Sequence, residues 1–142
     1  MRSHTAFIGA VVALLVTLAI EAWLFTAFLP GYTPVVLFLE MGMVMKMVAM
    51  VIVLLAVAGL IGGLAREATL VSIVAMLAVA MGLLGAAYGE MTVQAAIHAA
   101  GPVRFAVTAP SRAESIGLVV LGLFVAVVSM ALLRMRRSPA KA

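Results

Sequence analysis

Two glutamates in the apolar parts of this chain are placed where a carboxyl could carry a proton. Glu21 lies inside the first apolar stretch, about 12 Å of helix back from Leu29. Glu114 stands at the mouth of the last apolar stretch, within "PSRAESIGLVVLGLF". A charge at the centre of a bilayer costs about 2.5–3.5 kcal/mol, so such residues usually face a cavity or a partner. Glu21 is therefore a candidate proton-carrying carboxyl, while Glu114 stands either at an ordinary helix start or at the lip of a pore.

Each carboxyl also has a structural interpretation. Glu21 can be a protonated or hydrogen-bonded side chain that locks one helix to another. Ser111 and Glu114 fit the S-x-x-E capping box, in which the two side chains satisfy exposed backbone donors at a helix start. Pro110 just before them favours the end of a loop. The local sequence leaves the functional and structural roles open, and for Glu114 the two can coexist.

Other reactive groups are sparse. The chain has no cysteine, which excludes disulfides and thiolate metal sites, and His4 and His98 lack ligand spacing. Methionines cluster at positions 41, 43, 45, 47 and 50, but methionine is an adaptable filler of apolar packing and no histidine or cysteine joins them. No nucleophile–base pair, paired carboxylates or phosphate-binding glycine loop occurs in the sequence. We expect no metal, no cofactor and no enzymatic activity.

The elements that must position the carboxyls are membrane spans. Hydrophobic residues make up 67% of the chain and charged residues only 10%, far from soluble usage. A span needs about 20 apolar residues to cross roughly 30 Å of hydrocarbon. Four stretches qualify, namely Thr5–Leu29, Val35–Leu64, Thr69–Tyr88 and Ser115–Leu133. The sequence thus predicts an all-α integral membrane protein with four transmembrane helices.

Two details of these spans can be refined. The second stretch is too long for one perpendicular crossing, so we expect residues 35–46 at the outer interface and the embedded part at Met47–Leu64. Gly89–Glu114 is expected to be a loop. The first apolar stretch is longer than the 7–15 residues usual in a signal peptide, so we expect a retained helix.

Basic residues indicate the orientation. They flank the first and last spans and lie in the short loop 65–68: Arg2, Arg66, Arg134, Arg136, Arg137 and Lys141. Such residues concentrate on the cytoplasmic side, so both termini are predicted to be cytoplasmic. Aromatic residues cluster near the opposite surface: Trp23, Phe25, Phe28, Tyr32, Phe38, Tyr88 and Phe105. The net charge of +4 is explained by orientation and does not indicate nucleic acid binding.

Small residues recur along the spans at helical spacing. Span two carries Gly42, Ala49, Ala56 and Gly63, span three carries Ala75, Ala78, Gly82, Gly85 and Gly89, and span four carries Ser115, Gly122, Ala126 and Ser129. Stripes of this kind let membrane helices approach closely. They predict tight packing of the helices and serve dimers and rings equally well.

Two segments resemble the TolQ/ExbB/MotA proton-channel family. "GLLGAAYGEM" (82–91) and "TAPSRAESIGLVVLGLFVAVVSM" (108–130) are similar to the family patterns GLLGTVxGM and VAPxIAEALxxTALGLFxAIPA. The matching residues are Gly82, Leu83, Leu84, Gly85, Gly89, Met91, Ala109, Pro110, Ala113, Glu114, Leu121, Gly122, Leu123, Phe124 and Ala126. On this resemblance, residues 35–133 form a proton-channel-like three-helix unit. Residues 1–34 add a transmembrane helix and outer turn, and residues 134–142 form a basic cytoplasmic tail.

The resemblance implies a subunit of a bacterial inner-membrane complex driven by proton motive force. Several copies, with a pentamer favoured, would form a homo-oligomeric ring around a pore made by spans three and four. A single-span partner of the ExbD/TolR/MotB type would thread that pore and supply an ionisable aspartate. Glu114 matches the glutamate of the family at the start of the last helix, at the pore lip.

The chain also departs from the family pattern. Ala86 and Val119 stand at the pore-lining positions that carry threonines in the family, and Val128 replaces a proline. The loss of both hydroxyls removes groups that would hold water in a pore, so conduction would depend on Glu21, on Glu90 or on the aspartate of the partner. Two alternatives stay open: a small four-helix proton-coupled transporter, and a non-conducting assembly subunit of a larger membrane complex.

Overall fold

The computed structural model describes residues 2–137 as five α-helices without a strand. They are α1 (Arg2–Phe28), α2 (Pro34–Glu40), α3 (Met43–Leu64), α4 (Ala68–Ala100) and α5 (Phe105–Arg137). All except α2 contain a segment that is long and apolar enough to cross a membrane. The expected all-α fold with four candidate spans is confirmed. Of the expected basic tail, residues 138–142 lie outside the described part of the chain.

The helix α5 is the central element of the bundle, since it contacts each of the other four helices and packs most extensively on α4. It runs antiparallel to α1. At one end of this pair the Phe28 and Phe105 rings are 4.9 Å apart, and at the other the Arg134 guanidinium lies 4.1 Å from the Phe7 ring. We call the first the hairpin end, because residues 101–104 join α4 to α5 there, and the second the tail end.

Glycines allow the backbones of α4 and α5 to meet. A Cβ atom at Gly82 would lie 2.6 Å from the carbonyl oxygen of Leu118, and one at Gly122 would collide with the carbonyl of Ala78. Gly85, Gly89 and Ala126 are buried as well. The seam between α4 and α5 therefore has no room for side chains at its closest points, which fixes the rotation of α5 relative to α4.

The outer surface of the bundle is strongly apolar. Large aliphatic side chains point outward from three helices, with Leu15 of α1, Leu54 of α3 and Leu84 of α4 each more than 60% exposed. A soluble monomer rarely exposes continuous apolar surface of this kind, whereas lipid tails accept it without cost. The bundle has the surface of a membrane protein, while its few polar side chains are left to the interior and the ends.

The loop expected over Gly89–Glu114 is wrong, because this segment is almost entirely helical. Both α4 and α5 contain 33 residues, which corresponds to about 50 Å each and exceeds the roughly 30 Å of a hydrocarbon core. Gly89 lies within α4, where a Cβ atom would collide with the Ser115 hydroxyl. Its role is close packing and not a turn. The two helices form a hairpin long enough to project beyond a bilayer.

The capping box expected at Ser111 and Glu114 is also wrong. Because α5 begins at Phe105, both residues lie beyond its first turn, and the Ser115 hydroxyl donates to the Ser111 carbonyl at 2.9 Å. Pro110 is accommodated inside the helix, where its missing N–H costs a single backbone hydrogen bond. Glu114 therefore has no capping role, and its position needs another explanation.

The long second apolar stretch is divided into two helices, as expected, but the point of division lies nearer to its start than expected. The chain bends at Gly42, and α3 begins at Met43 where the embedded helix was expected from Met47. The Lys46 ammonium donates to the Leu39 carbonyl at 2.8 Å and ties the first turn of α3 back to α2. Gly42 is exposed at the bend and does not join a small-residue stripe.

Candidate functional site

Glu21 of α1 and Glu114 of α5 open onto the same cavity. This cavity, which we call the carboxyl cavity, has a volume of about 330 Å³ and lies between α1, α2, α3 and α5. The rest of its lining is apolar and includes Leu37, Phe38 and Met50. Two carboxyls that the sequence separates by most of the chain thus face one small space, and they are the charged groups in its lining.

The antiparallel arrangement of α1 and α5 explains why these two carboxyls face the same cavity. Glu21 lies seven residues before the end of α1 at Phe28, which is about 10 Å of helix. Glu114 lies nine residues after the start of α5 at Phe105, which is about 14 Å. Both distances are measured from the hairpin end, because the Phe28 and Phe105 rings pack together there. The two side chains therefore lie at similar depths.

Gly117 makes the space that Glu21 occupies on α5. A Cβ atom at Gly117 would lie 3.2 Å from Oε1 of Glu21, closer than an ordinary van der Waals contact. Gly117 follows Glu114 by three residues, so the two positions share a helix face. The carboxyl of α1 thus rests against the backbone of α5 one turn from the second carboxyl. The sequence shows the i, i+3 spacing of Glu114 and Gly117, but it does not show that α1 packs against this face of α5.

Glu114 is buried without a hydrogen-bonding partner among the residues that the structure describes. Its exposed fraction is 9%. The charges of Glu40 and Lys46 act on it from a distance, but no hydrogen bond or ion pair reaches its carboxyl. The neighbouring hydroxyl, on Ser115, donates to Ser111 instead. Among the described residues, the fully buried side-chain atom without a partner is Nε of Arg112, whereas Glu114 lines two cavities and is open to a proton or a ligand there.

Glu114 also lines a second cavity, nearer to the hairpin end, which contains Glu40 and Thr92. On its other side, the carboxyl cavity meets an open groove of about 580 Å³ between α1 and α5, and Glu21 lines both spaces. The carboxyls Glu40, Glu114 and Glu21 therefore stand in a row of adjoining cavities. Glu40 was not selected from the sequence, since nothing local places it beside Glu114.

Glu90, the third carboxyl of the predicted ion pathway, lies elsewhere. Its Oε1 atom is 3.3 Å from Nη2 of Arg112 and accepts a hydrogen bond of 2.8 Å from the Gln94 amide. The Arg112 guanidinium also lies 5.0 Å from the Phe105 ring. Both charged side chains are partly exposed, at 45% for Glu90 and 29% for Arg112. The Glu90 carboxylate of this rim pair is satisfied by Arg112 and Gln94, whereas Nε of Arg112 is buried without a hydrogen-bonding partner, and neither charged residue lines the carboxyl cavity.

The residues at the threonine positions of the family lie at the α4–α5 contact. Ala86 lines a separate cavity of about 340 Å³, which Trp23 and Leu24 of α1 close from the other side. Val119 contacts α4 near Gly82, where a Cβ atom would lie 3.2 Å from the Val119 Cα. In the single chain, α1 therefore covers part of the helix face that the resemblance assigns to a pore.

Comparison of the chain with known protein families, with curated protein sequences and with solved structures gave no match. Within residues 2–137, no group of three or more histidine, aspartate or glutamate side chains could hold a metal ion. The carboxyl cavity offers two carboxyls in an apolar surrounding, which suits a proton or a single positive charge better than a multivalent ion.

Proposed function

We propose that this chain is a proton-channel-like subunit of an energy-transducing complex in a bacterial inner membrane, with four spans and both termini in the cytoplasm. The observation that carries the proposal is the shared cavity of Glu21 and Glu114. Two carboxyls from different helices give a proton neighbouring acceptors inside an otherwise apolar bundle. The resemblance of segments 82–91 and 108–130 to the TolQ/ExbB/MotA family supports the same class.

The proposed pathway begins at the hairpin end and runs through the row of carboxyls. A proton enters beside Glu40, binds Glu114 and passes to Glu21 across the carboxyl cavity, each carboxyl being neutral while it holds the proton. Moving one charge through the membrane field is worth about 2.3 kcal/mol per 100 mV, which is the driving force. Towards the tail end, no further carboxyl lines these cavities, and Glu67, in the turn before α4, lies outside them.

This gap supports an assembly in which another chain completes the pathway. We propose a homo-oligomeric ring, with a pentamer favoured, around a single-span partner of the ExbD/TolR/MotB type whose aspartate supplies the missing carboxyl. A groove of about 710 Å³ at the tail end, between α1 and α4, is lined by small side chains such as Ala6, Ala10 and Ala75. Small residues favour close approach of a further helix, from a neighbouring copy or from the partner.

Native mass spectrometry of the complex purified from its own membrane tests this assembly. Several copies carrying a substoichiometric single-span protein are expected. A bare dimer would contradict the ring and favour the small transporter. A stable association with a larger set of membrane proteins, without proton flux, would favour the non-conducting assembly subunit.

Proton flux into liposomes tests the pathway itself. The purified complex is reconstituted with an internal pH dye, and flux is driven by a potassium diffusion potential. Glu114→Gln and Glu21→Gln should each lower the flux at least about tenfold, equivalent to 1.4 kcal/mol, because each removes a proton acceptor of the row. Glu67→Gln is the matched control and should conduct like the wild type. Undiminished flux in both cavity variants would rule out this pathway.

The size of the carboxyl cavity favours a second candidate, the small proton-coupled transporter. Its volume of about 330 Å³ lies at the lower end of the roughly 300–1,000 Å³ typical of small-molecule sites. A path for protons alone requires less space. In this case Glu21 and Glu114 would alternate between a proton and a substrate.

A further inference from the structure

We propose that the carboxyl cavity binds a compact organic monocation, such as a quaternary ammonium group, between Glu21 and Glu114. This inference does not depend on proton conduction or on the oligomeric ring. It follows from the charge, the lining and the access route of the cavity.

The two carboxyls of the cavity favour a cation as its ligand. Glu114 is nine-tenths buried, lines the cavity and has no hydrogen-bonding partner among the described residues. The lining contains no basic side chain, and the nearby Lys46 ammonium donates to the Leu39 carbonyl outside it. The chain as a whole carries a net charge of +4, so attraction of cations is a local property of this site and not a general one.

The lining selects an organic cation over an inorganic one. Apart from the two carboxyls, the walls are apolar and include Phe38, Met41 and Met50. Ca²⁺ and Mg²⁺ are bound through six or more oxygen ligands, several of them waters, and apolar walls offer a poor surrounding for such a hydrated ion. A quaternary ammonium group is weakly hydrated, and its alkyl substituents can pack on apolar side chains. Aromatic rings such as that of Phe38 attract such groups through their π-face.

An entry route also fits an amphiphilic cation. The open groove between α1 and α5 shares Glu21 and Gly117 with the carboxyl cavity and is flanked by Phe25 and Phe124. Both helices expose apolar side chains towards the surroundings of the bundle. A cation with an apolar body can therefore approach from the lipid side of the bundle and reach Glu21 first, then Glu114.

The test is equilibrium binding of radiolabelled tetraethylammonium to the full-length protein in lipid nanodiscs. Competition with choline is compared with competition by 3,3-dimethylbutan-1-ol, which has the same shape without the charge. We expect saturable binding that choline displaces and the neutral alcohol does not. The bulkier tetraphenylphosphonium should compete poorly, because the cavity is small.

Variants assign the binding to the cavity. Glu114→Gln and Glu21→Gln should each weaken binding about tenfold or more, since each removes a buried carboxylate partner of the cation. Phe38→Leu keeps the apolar volume and should weaken binding about threefold through loss of the π-face. Glu67→Gln and Phe7→Leu are matched controls outside the cavity and should bind like the wild type. If Glu114→Gln fails to fold, Glu21→Gln provides the comparison, because it also removes one carboxylate from the cavity.

Three outcomes would overturn the proposal. They are an absence of saturable binding to the wild type, unchanged binding in both folded carboxyl variants, and equal competition by the neutral alcohol. Loss of proton flux without loss of tetraethylammonium binding, or the reverse, separates this inference from the proposed function.

Discussion

The carboxyl cavity and the rim pair contain the same kind of group in opposite situations. At the rim, Glu90 faces Arg112 at 3.3 Å, accepts a further hydrogen bond from Gln94 and is partly exposed to solvent. In the cavity, Glu114 is 9% exposed, lines the same space as Glu21 and has no ion-pair partner among the described residues, although the charges of Glu40 and Lys46 act on it. The difference shows that this bundle holds carboxyls in two situations, one paired directly with a guanidinium and one without a direct partner that is open to a proton or a bound cation.

The α4–α5 seam holds close backbone contacts at Gly82 and Gly122, so its disruption should have the largest effect on stability. Gly82→Ala places a Cβ atom 2.6 Å from the Leu118 carbonyl oxygen, and α5 must move to accept it. We expect a loss of about 2 kcal/mol in stability, because backbone contacts cannot yield as a flexible side chain would. Thermal unfolding in detergent measures the loss.

The control for this change is Gly9→Ala on α1, where nothing lies within 4 Å of a new Cβ atom. It should leave the thermal midpoint unchanged or raise it slightly, since alanine favours a helix over glycine. Equal midpoints for Gly82→Ala and Gly9→Ala would show that the seam is looser than the contacts of Gly82 indicate.

A change confined to the cavity should have an intermediate effect. Gly117→Val adds a side chain where a Cβ atom already lies 3.2 Å from Oε1 of Glu21, and it should push the carboxyl away from Glu114. We expect proton flux and tetraethylammonium binding to fall about fivefold, equivalent to ~1 kcal/mol, which is typical of overpacking. The rim pair should be unaffected. Normal flux and binding in this variant would mean that the position of Glu21 in the cavity is unimportant.

Breaking the rim pair should have the smallest effect. Glu90→Gln removes the carboxylate that Arg112 contacts, but both side chains are partly exposed, and exposed ion pairs contribute about 0.2–1 kcal/mol. We expect a loss of stability of about 0.5 kcal/mol or less and no change in proton flux. Thermal unfolding and the liposome assay test the two parts. A fall in flux comparable to that of Glu114→Gln would show that Glu90 takes part in proton conduction, and that the rim pair and the carboxyl cavity do not differ in function.

The predictions from sequence were reliable where composition decides the structure and failed where turn signals compete with packing. Four apolar helices followed from the length of the apolar stretches. Gly89, the first residue of the expected loop 89–114, and Pro110, expected at the end of that loop, both lie inside long helices. Gly89 is used for contact with Ser115, and Pro110 loses one hydrogen bond near a helix end, which the packing of α5 against its neighbours outweighs.

The sequence by itself determined that this chain forms apolar helices of spanning length and carries few carboxyls. Both are local properties, because the length of an apolar stretch can be read without knowing which other segments it contacts. It also indicated Glu21 and Glu114 as exceptional charges. The tertiary structure alone decided that these two carboxyls line one cavity, that Glu40 shares a second cavity with Glu114 and that Glu90 pairs with Arg112. Side chains far apart in the chain meet only through the antiparallel packing of α1 on α5, and the rotation of each helix is set by contacts such as those of Gly82 and Gly117. No local pattern encodes that rotation.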